Sequence, residues 1–151
     1  MDTKPIYVPP GNSSNGKVFD VLGDHITVKL AGEEVIDLYC ILEGTTEPGA
    51  GPPMHVHHRE NESFYVLEGE FEFHVGGRVI HATAGSFLFG PRQIPHRYQN
   101  VGNTRGRWLV IAEPAGVEHF FAEMSQAFVG GRPNMDRVGE LCQKYEIEFV
   151  R

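Results

Sequence analysis

The feature that most constrains this chain is a succession of short β-prone runs, each closed by a turn containing glycine or proline. In one such run Phe71, Phe73 and Val75 alternate with polar residues, and Gly69 and the Gly76-Gly77 pair stand at its two ends. A period of two places alternate side chains on one face of a strand. The chain has 18 glycines and 10 prolines, and turn signals at intervals of about 8–12 residues are typical of a sandwich or barrel.

We therefore predict an all-β, antiparallel barrel over residues 17–113, preceded by an irregular arm at 1–16 that is rich in proline, glycine, asparagine and serine. The predicted strands cover residues 26–30, 36–40, 63–67, 71–75, 78–82, 87–89, 96–101 and 107–112.

The tail at 114–151 changes to a helical period and is expected to pack on the barrel. Its first helix has Val117, Phe120, Phe121 and Met124 on one face, and its second has Met135, Val138, Leu141, Cys142 and Tyr145. Asn134 is the predicted N-cap of the second helix. Two arrangements remain open, because these helices either cover the core only or close the barrel mouth as a lid.

Composition and charge exclude several classes of protein. The net charge is −7, and binding to nucleic acid phosphates needs a basic surface instead. No stretch approaches the length of a membrane span, and the N-terminus lacks the pattern of a secretory signal, so we expect a cytoplasmic protein without a membrane or nucleic-acid partner. Cys40 and Cys142 do not form a disulfide framework and are expected to be buried free thiols.

The strongest chemical signal is His55-Val56-His57, followed by Glu62 and, in a later strand, by His96. Residues i and i+2 of a strand point to the same face, so the two imidazoles of the pair converge. Glu62 follows after a bend, and His96 is predicted to reach the same point from a neighbouring strand. Three imidazoles and one carboxylate suit a single divalent transition ion, namely iron, manganese, nickel, cobalt, copper or zinc.

The spacing of these residues resembles the two motifs of the cupin superfamily. The first motif, G-x5-H-x-H-x3-4-E-x6-G, is matched by Gly49, His55, His57, Glu62 and Gly69. The second motif, G-x5-P-x-G-x2-H-x3-N, is matched by Gly85, Pro91, His96 and Asn100, with Gln93 in place of its central glycine. Within the superfamily, the single barrel followed by an aromatic tail is most similar to the quercetin 2,3-dioxygenase-like cupins.

The resemblance implies a jelly-roll barrel, also called a double-stranded β-helix, with the metal ion inside and two C-terminal helices. It implies that His55, His57, Glu62 and His96 are metal ligands, and that the motif residues Gly49, Gly69, Gly85, Pro91 and Asn100 shape turns. It further implies a homodimer. Strand alternation adds a substrate pocket lined by Phe64, Val66, Phe71, Phe73 and Tyr98. The other histidines, His25, His58, His74, His81 and His119, are expected to be surface or hydrogen-bonding residues.

Three functions fit this pattern. The first is a metal-dependent dioxygenase acting on a small enolic or phenolic compound, with Glu62 as the catalytic base and burial tuning its pKa toward neutrality. The second is a metal-assisted isomerase or lyase that works without O2. The third is a non-catalytic cupin that binds a small molecule or a metal. The sequence leaves the metal, the substrate and the role of Gln93 open.

Overall fold

A computed structural model describes residues 3–151, so the first two residues of the predicted N-terminal arm lie outside the described part. The remainder of the arm has no helix or strand before Val18. In chain order the elements are β1 (Val18–Val21), β2 (Asp24–Leu30), β3 (Cys40–Thr46), β4 (His55–His57), β5 (Asn61–Glu68), β6 (Glu70–Val75), β7 (Arg78–Thr83), β8 (Phe87–Gly90), β9 (His96–Asn100), β10 (Gly106–Glu113), α1 (Val117–Gln126), β11 (Phe128–Val129), β12 (Arg132–Pro133), α2 (Met135–Tyr145) and β13 (Ile147–Phe149).

Two antiparallel sheets form the body of the protein. One sheet has six strands in the order β1-β2-β3-β10-β5-β8, and the other has five in the order β13-β4-β9-β6-β7. The strand faces that lie between the two sheets are apolar, and the residues buried there include Leu42, Phe64, Val66, Phe71 and Phe73. This arrangement is the predicted antiparallel jelly roll. The alternating pattern of each strand explains it, because the apolar face of each sheet is removed from water when the two sheets pack together.

One predicted strand is wrong. Residues 36–40 were expected to form a strand, but a 3-10 helix covers Gly32–Val35 and β3 begins only at Cys40. The backbone of Ile36 is left-handed, with φ of 56°, and this side chain is 60% exposed. Ile36 and Leu38 therefore lie in a turn, where a period of two does not indicate a strand face.

The turns that frame the site follow the motif glycines. Gly49, Gly69 and Gly85 all have positive φ angles. At Gly69 a Cβ atom would also lie 2.9 Å from the Cα atom of Gly106, so this hairpin needs glycine for space as well as for backbone conformation. Asn100 is buried and donates hydrogen bonds from its amide to the carbonyl oxygens of Thr46 and Thr104, which ties three segments together.

The tail contains the two predicted helices, and neither has the length and apolar character that crossing a bilayer requires. Asn134 caps α2 by accepting a hydrogen bond from the backbone N–H of Arg137. The buried face of α2 is narrower than the predicted apolar face, because Val138 and Leu141 are buried whereas Met135 is exposed.

The tail also contributes a strand to the barrel, since β13 pairs with β4. Both cysteines are free thiols. Cys40 is buried and Cys142 is partly buried.

Candidate metal centre

Four side chains from three strands meet at one end of the space between the sheets. His55 and His57 come from β4, His96 comes from β9, and Glu62 comes from β5 in the opposite sheet. The antiparallel pairing of β4 with β9 places His55 directly opposite His96. We call His55, His57, Glu62 and His96 the tetrad.

The tetrad is tightly grouped and buried. One ligand atom from each residue lies within 4.8 Å of those of the other three. The Glu62 carboxylate lies 3.1 Å from His96 Nε2 and 3.3 Å from His57 Nε2. Separations of this size leave room for one ion between the four atoms, since metal–ligand bonds are about 2.0–2.2 Å long.

Hydrogen bonds on the far side of each ring orient the imidazoles. His55 Nδ1–H donates to the Pro53 carbonyl oxygen at 2.8 Å, and His57 Nδ1–H donates to Glu60 Oε1 at 2.6 Å. His96 Nδ1 lies 3.4 Å from the Ile94 carbonyl oxygen. Because each Nδ1 faces outward, each Nε2 points into the tetrad, which is the orientation that a metal ligand requires.

Glu60 was missed by the sequence analysis. It is 3% exposed and does not belong to either motif, but it follows His57 by three residues in the bend before β5. A carboxylate within three residues of a candidate histidine ligand is the signal that could have identified it, because ligating imidazoles commonly donate their other N–H to a carboxylate.

The electrostatics of His55 and Glu62 also favour a bound cation. Burial is the main cause that lowers the pKa of His55 to about 3, and the neighbouring His96 and His57 add to it. Burial alone would raise the pKa of Glu62, but the imidazoles of His57 and His96 lower it to about 2. A neutral imidazole and an ionised carboxylate are the forms that bind a metal ion. The donor set therefore fits a borderline divalent ion.

This result corrects one expectation about Glu62. Its pKa was expected to rise toward neutrality through burial, and the shift runs in the opposite direction. The cause is the set of three surrounding imidazoles, whose stabilisation of the carboxylate outweighs its desolvation.

A small cavity of about 40 Å³ opens from the tetrad. Of the predicted pocket residues, Phe64 and Tyr98 line it.

Val66, Phe71 and Phe73 lie in the core and do not line the cavity, which corrects the predicted pocket. Phe73 lies opposite Tyr98 in the pairing of β6 with β9, and its ring centroid lies 5.4 Å from that of Phe64 and 5.7 Å from that of Tyr98. Phe73 therefore packs against two of the rings that line the cavity. Strand alternation identifies the face on which a residue lies, but not which side chains on that face reach the cavity.

Residues outside the motifs complete the cavity wall. Asp24 comes from the start of β2, Phe120 and Phe121 from α1, and Ile147 and Phe149 from β13. The ring of Phe149 lies 6.3 Å from that of His55. The tail therefore forms part of the cavity wall in addition to covering the core, which answers in part whether it acts as a lid.

Gln93 stands outside the cavity wall, in the turn before β9. Its φ angle is 72°, the left-handed conformation that explains why the motif has glycine there. Its backbone N–H donates to the His57 carbonyl oxygen, and its side-chain oxygen accepts a hydrogen bond from His58. Gln93 therefore ties this turn to β4.

The five remaining histidines lie at or near the surface and make hydrogen bonds or ion pairs, as predicted. They are His25 with Asp20, His58 with Gln93 and Glu148, His74 with Glu72, His81 with Glu70, and His119 with Glu33.

Comparison with known proteins supports the fold and the motifs. Residues 42–112 match the family model of the Cupin domain. A curated protein of Thermotoga maritima, named oxalate-binding protein, is 34% identical over 64 residues. That match spans 42% of this chain and 53%, about half, of the length of the relative.

Two solved structures illustrate the structural likeness. A predicted oxalate decarboxylase from Thermotoga maritima is 26% identical, with a TM-score of 0.58 over 60% of this chain and 80% of its own. An RmlC-like cupin from Shewanella frigidimarina is 21% identical, with a TM-score of 0.60 over 78% of this chain and 99% of its own. The matched family model, the paired antiparallel sheets and the two motifs agree, and residues 42–112 of the chain form a cupin domain.

Proposed function

We propose that this protein is a metal-dependent enzyme of the dioxygenase type that acts on a small enolic or phenolic compound. The observation that carries the proposal is the buried tetrad at the end of a narrow cavity with aromatic walls. A site with one metal position and an adjoining space with mainly apolar walls suits a substrate that binds a metal ion through oxygen.

In this proposal His55, His57, Glu62 and His96 hold one divalent ion. Iron, manganese, nickel, cobalt, copper or zinc would supply Lewis acidity toward a substrate oxygen and, where the ion is redox-active, an electron path to O2. The outward hydrogen bonds to Pro53 and Glu60 keep the two imidazoles of β4 in place.

Glu62 is the proposed catalytic base. Its carboxylate is ionised and buried, so it accepts the hydroxyl proton of an enol without competition from bulk water. Its low pKa makes it a weak base, which restricts the reaction to acidic hydroxyl groups. Phe64 and Tyr98 provide flat apolar contact that holds a planar substrate beside this carboxylate.

The size of the cavity restricts the substrate further. The cavity of about 40 Å³ is far smaller than the roughly 300–1,000 Å³ of pockets for drug-sized ligands, so we expect a ligand with few non-hydrogen atoms. A small diketone in its enol form fits this space, whereas a three-ring flavonol requires the cavity wall to move. We therefore expect a substrate smaller than quercetin.

A second candidate function is the binding or non-oxidative cleavage of a small dicarboxylate. One observation favours it, because the curated relative from Thermotoga maritima is named an oxalate-binding protein. Oxalate has six non-hydrogen atoms and would fit the same space. It would bind the same ion, but its turnover would not consume O2.

The first experiment measures the metal content and then the ligand. The protein is purified without chelator or metal-affinity resin beside His57→Ala, and beside His81→Ala as a control histidine at the surface. We expect near-stoichiometric metal in the wild type and the control, and loss of metal in His57→Ala. Absence of metal from all three proteins would overturn the proposed site.

The metal-loaded protein is then tested with acetylacetone and with oxalate. Oxygen uptake with acetylacetone, abolished in Glu62→Gln, supports the dioxygenase. Calorimetric binding of oxalate without oxygen uptake from either compound supports the second candidate. Full metal content and full turnover in Glu62→Gln would remove Glu62 from the mechanism.

The homodimer remains a prediction, and one surface supports it. Tyr65, Phe87, Phe89 and Ile111 are exposed on the outer face of three neighbouring strands, β10, β5 and β8. An exposed apolar patch commonly marks an interface. Light scattering after gel filtration tests the prediction, and we expect Phe87→Glu to yield monomers.

A further inference from the structure

A second buried carboxyl group borders the same cavity as the tetrad. Asp24 is the first residue of β2 and is 5% exposed. It belongs to neither cupin motif, and the reaction proposed above does not use it. A buried carboxyl group with no metal or cationic partner needs an explanation, because its charge is costly to remove from water.

Three side chains from three other strands fix the position of Asp24. The Thr46 hydroxyl donates to Asp24 Oδ1 at 2.5 Å, and the Tyr98 hydroxyl donates to Oδ2. The Trp108 indole N–H in turn donates to Thr46 Oγ1 at 3.0 Å. The hydroxyl groups of Thr46 and Tyr98 are therefore both engaged with Asp24, and the Trp108 N–H is engaged with Thr46.

The carboxylate of Asp24 keeps unused acceptor capacity. An ionised carboxylate offers about four lone-pair positions, and Thr46 and Tyr98 occupy one on each oxygen. Within residues 3–151 no other group donates to it. Burial raises the pKa of Asp24 to about 6 although the bonds from Thr46 and Tyr98 lower it, so its charge is only partly compensated.

The rest of the cavity wall defines what a ligand must offer there. Apart from the tetrad, Asp24 and Tyr98, the described wall residues are apolar or have their polar atom engaged, and no lysine or arginine is among them. Tyr98 and His96 are two residues apart on one face of β9, which corresponds to roughly 7 Å along the strand. A ligand of about seven atoms can therefore reach from the tetrad to the Asp24–Tyr98 pair.

We propose that Asp24 is a second substrate-binding residue, which accepts a hydrogen bond from a hydroxyl group at the end of the substrate remote from its metal-binding oxygens. This inference rests on the proposed function of the tetrad and narrows the substrate class to small enolic compounds that carry a further hydroxyl group. A carboxylate at that end is disfavoured, because it would face Asp24 without a cation between them.

Three hydroxamates test the proposal, because each binds a metal ion through the same two oxygens and differs only at the far end. They are 3-hydroxypropanehydroxamate, butanehydroxamate with a methyl group in place of the hydroxyl, and malonate monohydroxamate with a carboxylate. Their affinities for the metal-loaded wild type are measured by calorimetry. We expect the hydroxyl compound to bind about tenfold more tightly than the methyl compound, as for a hydrogen bond to a charged acceptor. The carboxylate compound should bind least tightly.

Asp24→Asn should reduce the preference for the hydroxyl over the methyl compound to less than about threefold and should also weaken the discrimination against the carboxylate. Asp20→Asn is the matched control, since Asp20 lies in β1 of the same hairpin but is exposed and, within residues 3–151, is bonded only to His25. The control should keep the wild-type ranking. If Asp24→Asn does not fold, the ranking in the wild type decides.

Two outcomes separate this inference from the proposed function. Equal binding of the hydroxyl and methyl compounds to the wild type would overturn the role of Asp24 while leaving the metal site in place. Failure of all three compounds to bind the metal-loaded protein would overturn the proposed function, and the role of Asp24 with it.

Discussion

Removal of Glu60 provides the most direct test of how the protein holds its metal ion. Glu60 accepts the Nδ1–H of His57 at 2.6 Å, and both side chains are 4% exposed, so solvent cannot replace this bond. Loss of such a partner typically weakens metal binding by about 10–100-fold, or about 1.4–2.7 kcal/mol. We expect about tenfold for Glu60→Gln, which keeps an acceptor oxygen, and about 100-fold for Glu60→Ala, which leaves the N–H buried and unpaired.

The assay is a competitive titration of zinc or cobalt against a coloured chelator, with circular dichroism to establish that each variant is folded. Glu72→Gln is the control, because Glu72 also bonds a histidine, His74, at 2.6 Å, but this pair is partly exposed and lies outside the tetrad. We expect it to change the affinity by less than about twofold, as exposed pairs contribute little.

The pH dependence of the metal affinity gives a second test of the role of Glu60. Burial lowers the pKa of His57, but Glu62 and Glu60 raise it above its ordinary value overall. Without Glu60, fewer protons compete with the metal at His57, so the loss of affinity should be smaller at pH 7 than at pH 8. Folded Glu60→Gln and Glu60→Ala proteins that bind metal within twofold of the wild type at both pH values would refute this reasoning.

The remaining predictions concern stability and are measured by urea unfolding. Burial raises the pKa of Asp24 from 3.8 to about 6 on folding, so protonated Asp24 contributes up to about 3 kcal/mol to the free energy of unfolding. This contribution is fully present below pH 4 and is lost as the pH rises through 6. The stability of Asp24→Asn relative to the wild type should therefore increase by up to that amount between pH 4 and pH 7, and a constant difference would contradict it. Gly44→Ala should destabilise the fold by about 1–3 kcal/mol, because its Cβ would lie 2.1 Å from the Trp108 ring; unchanged stability would show that the ring can move. Gly139→Ala, within α2 and with open space around it, should stabilise the protein by about 0.5–1 kcal/mol; destabilisation there would contradict the helix.

The sequence allowed the fold and the tetrad to be predicted because both depend on short-range pattern. His55 and His57 are two residues apart in a strand, and the motif spacing carries Glu62 and His96 to the same place. Which side chains of the buried face reach the cavity depends instead on how their rings pack against one another, which pattern alone does not specify. For that reason Phe71 and Phe73 were assigned to the pocket although the structure places them in the core.

Long-range pairing accounts for the residues that were missed. Asp24 reaches the cavity through its bonds to Thr46 and Tyr98, 22 and 74 residues away in the chain. Phe149 reaches it because β13 pairs with β4, a contact that the helical tail pattern concealed. The strand predicted at 36–40 failed for a different reason, since a short alternation is compatible with a turn whose apolar side chains are exposed.

The Trp108 indole lies in the cavity wall, and it is the single tryptophan of the chain. Its emission therefore comes from one position only, beside the substrate space and hydrogen-bonded to Thr46. Filling of the cavity, or entry of a quenching ion such as copper into the tetrad, changes the surroundings of this tryptophan. The protein thus carries its own optical reporter, and occupancy can be followed in real time without a label.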